Sequence, residues 1–253
     1  MVQGELKHSV TLTVIIKNGG YVFIVVYNEV SIIIVLLNLF PEPPVEKTTT
    51  SPDKTGLLVF RAIVLYGDFN FAIRQMQKGI EDDPLNLIYQ FHLAQIYLYI
   101  LRDYEKTRNI LNNIIDLGFP ENATWRPFCL SYLFDEQYTL AEEYARKDYE
   151  ASEGKGHGAA NLIISLAAMR KNEEAGQLYQ SVKESFSIPQ FPEFLHVRVN
   201  SWLGKLDDAF DYLDKAITVK SFWLFTLKYS PEWDLLRPDP RFKQILKRMK
   251  FPE

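Results

Sequence analysis

The feature that most constrains this chain is a spacing. Ala72, Thr107, Ala141, Ala175 and Ala209 follow one another at intervals of 35, 34, 34 and 34 residues. Four positions beyond each stands Met76, Leu111, Ala145, Tyr179 or Leu213, and three positions before each stands Phe69, Tyr104, Tyr138, Asn172 or Leu206. Just ahead of those lie the turn-like pairs Gly67-Asp68, Arg102-Asp103, Glu136-Gln137, Arg170-Lys171 and Gly204-Lys205. A fixed period of this size belongs to stacked repeats, each a unit that cannot bury its apolar face alone.

The pattern reads as a helical hairpin. Helix A ends at the turn and helix B packs back on it. A small residue at the crossing lets the two backbones approach, and the apolar residue four positions on shares its face and fills the same seam. The bulky residue before helix B plugs the gap beside the turn. The single 35-residue interval needs one extra residue, and the second copy has room for it only between Tyr97 and Tyr104.

Two further details complete the pattern. Ala94 and Tyr97 supply the small and aromatic residues of helix A in the second copy, and Pro84, after Asp82-Asp83, and approximately Pro120 mark repeat ends. On these residues the chain resembles the tetratricopeptide-repeat (TPR) family. Gly79 and Asp148 depart from the family's usual alanine late in helix B, the third copy ends in Glu153 without proline, and Asn172 replaces a bulky residue. The resemblance implies an all-α, right-handed solenoid of about five hairpins over residues 56–253. It also implies a concave face, lined by the A helices, that holds a peptide or protein partner.

Mapped onto this sequence, the helix A positions on that face are Arg61, Phe91, Gln95, Arg126, Phe194 and Arg198. Arginine grips carboxylates in a two-pronged geometry and aromatics supply much of the energy at protein contacts. The set would suit an extended segment carrying carboxylates and an apolar anchor. The competing reading is that these arginines are solvated or paired with neighbouring acids. The family's lysine and asparagine set for chaperone tails is not reproduced, because Arg61, Gln95 and Leu130 stand at those positions.

The C-terminal end reads as a closure. Asp239 is placed to cap a helix with Pro240 in its first position, where a missing N–H costs nothing. Phe242, Ile245, Leu246 and Met249 follow at helical spacing among Arg241, Lys243, Lys247, Arg248 and Lys250. A solenoid needs a terminal piece with a polar outer face. The basic stripe could alternatively touch nucleic acid or lipid. Leu235 to Phe242 also resembles the block that closes TPR arrays in many bacterial signalling proteins, among them adenylate cyclases and winged-helix regulators. No such effector domain is recognisable, so the alternative function is an accessory or sensory remnant of such a protein.

The first forty residues have another grammar, and Pro41 to Lys54 with Thr48-Thr49-Thr50-Ser51-Pro52 reads as a linker over 41–55. Tyr21 to Phe40 is long enough to cross a bilayer as a helix. Its 14 Val, Ile, Leu and Phe residues favour insertion, while Glu29 near the centre costs about 2.5–3.5 kcal/mol. Lys7 and Lys17 before the span favour an inside N-terminus, which would put the repeats on the extracytoplasmic side; without the anchor the chain would be cytoplasmic. The rival is a β-meander: Val10 to Ile16, the turn-prone Asn18-Gly19-Gly20, Tyr21 to Tyr27, then Ile32 to Leu37.

Signals for chemistry are weak. A net charge of −4 provides no bulk basic field for nucleic acid. His8, His92, His157 and His196 form no pair at ligand spacing with each other or with Cys129, so no metal and no cofactor is expected. Cys129 falls at a packed helix A position and reads as a buried thiol. Gly154-Lys155-Gly156-His157-Gly158 lacks the spacing, the following Ser or Thr and the preceding strand of a phosphate loop, and reads as an inter-repeat turn. The expectation is a scaffold, not an enzyme.

Overall fold

A computed structural model describes residues 10–17, 20–27, 30–35, 69–186, 193–219 and 221–249. Two compact units divide near residue 61. In the first, β1 (Val10–Lys17), β2 (Gly20–Tyr27) and β3 (Val30–Val35) pair antiparallel in the order β1-β2-β3. Lys17 pairs with Gly20 and Tyr27 with Val30, so two-residue connections set both registers. The membrane-spanning helix over Tyr21–Phe40 is therefore not what residues 20–27 and 30–35 form, and no helix among the described residues is long and apolar enough to cross a membrane. The physical reason lies in the residue types. β-branched side chains suit a pleated surface, and residues 20–27 and 30–35 are rich in valine and isoleucine. The linker 41–55, and Leu36 to Phe40, lie outside the described residues.

Among the described residues of the second unit all regular structure is helical. Its elements are α1 (Phe69–Asp82), α2 (Leu87–Ile96), α3 (Tyr104–Asp116), α4 (Glu121–Phe134) and α5 (Tyr138–Ala151). They continue as α6 (Gly156–Ala168), α7 (Asn172–Val182), α8 (Phe194–Trp202), α9 (Leu206–Thr218) and α10 (Pro240–Arg248). Consecutive helices pack on one another, as an all-α solenoid requires, and α4 and α8 both touch α6. Helix α6 is buried on every side from Gly158 to Ala167.

The repeat spacing marks where helices begin. Phe69, Tyr104, Tyr138, Asn172 and Leu206 are the first residues of α1, α3, α5, α7 and α9. The small residues three positions on, Ala72, Thr107, Ala141, Ala175 and Ala209, are all completely buried. Met76, Leu111, Ala145, Tyr179 and Leu213 are buried beside them. The partner helix of α1 in the expected first hairpin, residues 56–68, lies outside the described residues, and Arg61 with it.

The turns before these helices share one backbone geometry. Arg102, Glu136, Arg170 and Gly204 each adopt the left-handed conformation, with φ of 57°, 59°, 62° and 72°. In three of the turns the next N–H reaches back five residues: Gln137 to the Tyr132 carbonyl, Lys171 to Leu166 and Lys205 to Asn200. This is the closing bond by which helices end at a left-handed residue. In the remaining turn the Asp103 N–H bonds the Tyr97 carbonyl at 3.0 Å, one residue further. Residues Tyr97–Leu101 form a π-helical turn that absorbs the extra residue of the 35-residue interval.

The end is closed as its sequence implies. The Asp239 carboxylate accepts from the Arg241 N–H with Pro240 in the first helical position, and Phe242 and Ile245 of α10 are buried. Two cations of the basic face are committed within the chain. Arg241 pairs with Asp207, and Arg248 with Asp214, both on α9 and both at 2.8 Å.

Two glycines separate tight crossings from loose ones. A Cβ on Gly158 of α6 would lie 2.6 Å from the Asp148 carbonyl oxygen of α5, whereas one on Gly176 of α7 would meet nothing within 4 Å. Gly158→Ala should cost about 1–3 kcal/mol by overpacking. Gly176→Ala should stabilise by about 0.5–1 kcal/mol, because alanine loses less entropy in a helix. Urea unfolding of both variants checks this, and equal effects would contradict the α5–α6 crossing.

Candidate functional site

The C-terminal stretch between α9 and α10 does more than cap. Phe222–Lys228 and Pro231–Trp233 form two 3₁₀ turns. The run from Tyr229 to Arg237 returns along the side of the unit built by α2, α4 and α8. At one end, the Tyr229 ring meets Phe69 edge-on at 5.1 Å. Arg102, at the end of the π turn, donates to both oxygens of Asp234, at 2.6 and 2.9 Å, and to the Tyr229 carbonyl at 3.3 Å. At the other end, Trp233 is fully buried, stacks on Trp223 at 5.0 Å and meets the Phe194 ring at 5.5 Å. Its indole N–H donates to the Thr226 hydroxyl.

Between these ends lies Glu232, whose side chain is 3% accessible. The Arg198 Nε of α8, itself on a 2% accessible side chain, sits 2.9 Å from its Oε1. A terminal nitrogen of Arg126, on α4, lies 3.9 Å from the same oxygen. Arg198 also donates to the side-chain amide oxygen Oδ1 of Asn161 on α6 at 3.0 Å, and its guanidinium sits over the Phe194 ring.

Three of the sequence-expected residues, Arg126, Phe194 and Arg198, thus meet at one place, and what they hold belongs to the same chain. Of the two readings of the arginines, pairing with an acid describes Arg198; Arg126 retains 31% of its side-chain surface. Phe91 and Gln95 lie apart on α2. Phe91 stacks on Phe119 at 5.1 Å, and the Gln95 carbonyl oxygen is 3.0 Å from the His92 Nδ1. An open groove lined by Leu85, Leu87, Ile88, Phe119 and Pro120 runs past Phe119.

The residues missed from the sequence are Glu232, Trp233, Asp148, His157 and Asn161. His157 and Asn161 carried a usable signal: two polar residues one helical turn apart on a helix otherwise apolar enough to be buried all round. Around them the polar atoms are poorly matched. Arg126 Nε, His157 Nδ1 and Arg198 Nη1 are shut off from solvent with no hydrogen-bond partner in the protein. Native interiors hold few such atoms, and each calls for an explanation.

The surroundings shift the ionisable groups as burial dictates. Burial, joined by the charges of Arg126 and Arg198, holds the His157 imidazole well below its ordinary value. Burial raises the Asp148 carboxyl against the pull of Arg126. Cys129 is buried, 3.8 Å from the Ser165 hydroxyl, and burial pushes its thiol up to about 12. A thiol this reluctant to ionise is no nucleophile at neutral pH. The Gly154–Gly158 run follows helix α5 and opens α6, as an inter-repeat turn does. Among the described residues, no group of three or more His, Cys, Asp or Glu is placed to hold a metal ion. No protein-family model matches the chain, and no curated protein matches it.

The His157 environment sets a pH dependence. The folded chain resists a proton that the unfolded chain accepts as pH falls through about 6.5, so stability from this group is complete above that pH and lost below it. His196, also lowered by burial, acts in the same direction. Urea midpoints should therefore fall between about pH 7.5 and about pH 5.5, and fall less in His157→Asn. An equal fall in both chains would mean that His157 is not enclosed.

Proposed function

We propose that the chain is a non-enzymatic scaffold of TPR-type hairpins that binds a protein or peptide partner along the side lined by its A helices. The observation that supports it most is the convergence of Arg126, Phe194 and Arg198 on a carboxylate and an indole. That is the chemistry of an acidic segment with an aromatic anchor. The partly accessible Arg126 and the Phe91–Phe119 pair beside its open groove extend the surface toward α2. The lead of residues 235–239 into the closing helix α10 suits an array end and leaves the signalling-remnant reading without an observation of its own.

A membrane tether through residues 21–40 belongs to the proposal only through their apolarity. It requires the full-length chain to stay in the pellet after alkaline carbonate extraction, and release into the supernatant removes it.

The binding surface is tested with full-length baits. Partners recovered by the wild type should be lost by Phe91→Ala with Arg126→Gln, while circular dichroism shows that the variant keeps the wild-type helical content. Recovery of the same partners at the same yield by the folded variant would place the contact elsewhere.

A further inference from the structure

We infer that the Tyr229–Arg237 segment is an internal ligand for this partner site. The external ligand that competes with it is an acidic peptide carrying an indole beside its carboxylate. The inference rests on the partner-binding reading above and says what that partner must look like.

The segment is placed as an extended ligand would be. It contacts the start of α1 through Phe69, the end of the π turn through Arg102, α4 through Arg126 and α8 through Arg198 and Phe194. These contacts come from four separate helical pieces, which a simple end cap on α9 has no need to reach. The cationic side chains hold a carboxylate and the phenylalanine holds an indole, both supplied from within the chain.

The match is incomplete, and that incompleteness is informative. Arg198 Nη1 and Arg126 Nε donate no hydrogen bond to the segment. Arg198 touches the carboxylate through a single nitrogen rather than in the two-pronged geometry that arginine favours. A buried ion pair left in that state contributes little to stability relative to an apolar filling. A peptide that brings its carboxylate squarely onto Arg198 and Arg126 satisfies atoms that the internal segment leaves bare.

The anchoring is uneven in a way that permits exchange. The Arg102–Asp234 pair is 40% accessible on both sides, where ion pairs contribute little. Trp233 and Leu236 are fully buried, so opening exposes an indole and a leucine. A competitor must therefore fill the Trp233 site as well as the carboxylate site, which is why its chemistry needs both groups. An acidic peptide without an aromatic cannot displace the segment.

The test uses a fluorescein-labelled peptide with the sequence of residues 229–237, titrated into the full-length wild type and into full-length Glu232→Gln with Asp234→Asn. Opening the internal contact raises the competent fraction, so the variant should bind about ten-fold tighter or better than the wild type. A peptide with alanine for its glutamate and tryptophan should bind neither. Hydrogen exchange on the wild type gives a second reading that needs no folded variant: saturating peptide should speed exchange of amides in residues 224–237. Equal affinity of both chains, or unchanged exchange, overturns self-occupation. A variant that dimerises and excludes the peptide makes a second copy the occupant and overturns the external peptide. Peptide binding as expected, with no protein captured by any full-length bait, overturns the scaffold reading and leaves the internal ligand standing.

Discussion

Everything in the helical unit depends on how closely two helices can cross. At Ala72, Thr107, Ala141, Ala175 and Ala209 the side chain is small enough to bring facing backbones together, and each is sealed from water. Around each crossing apolar residues fill the seam, and before Thr107, Ala141, Ala175 and Ala209 a left-handed residue ends the preceding helix. The geometry repeats because the chemistry repeats. Helix axes approach to about 8–10 Å at such contacts, where one extra methylene is felt. Gly158 extends the same demand to the neighbouring crossing, where even a methyl group would strike the Asp148 carbonyl.

The A-helix side carries the opposite kind of contact. There, polar atoms gather in the interior and only partly satisfy one another. Two arginines and a histidine contribute atoms with no hydrogen-bond partner in the protein, close to where the returning segment meets α4, α6 and α8. An interior optimised for stability alone would replace them with hydrocarbon, since removing both members of a buried pair is often neutral or stabilising. Their concentration at one place is the physical link between the fold and the proposed role. The seams hold the helices together, and the partly matched polar cluster is where the proposed partner would bind.

Much of the fold was legible because it is periodic. The starts of α1, α3, α5, α7 and α9 follow from the recurring small residue, the site of the π turn follows from one surplus residue, and the Asp239 cap follows from residue chemistry. The first forty residues were ambiguous because an unbroken aliphatic run satisfies both a bilayer helix and buried strands. The turn-prone Asn18-Gly19-Gly20 was the feature that favoured pairing. The candidate site was half legible. Register placed Arg126, Phe194 and Arg198 on one side, but Glu232 and Trp233 lie outside the repeat, and their contacts join residues far apart in the chain. No period reports a contact such as Arg102 with Asp234, separated by 132 positions. His157 and Asn161 were visible as polar residues on an apolar helix, yet their neighbours were not.

The account stands on the claim that Arg198 and Glu232 hold each other inside the chain, and a double-mutant cycle measures that directly. Urea unfolding would be followed for full-length Arg198→Met, Glu232→Leu and the two combined. Each single change strands a buried charge and should destabilise by about 3–5 kcal/mol, while the combined change should recover most of that loss. Losses that simply add in the combined variant would show that the two side chains do not meet, and the self-occupied site would fall with them.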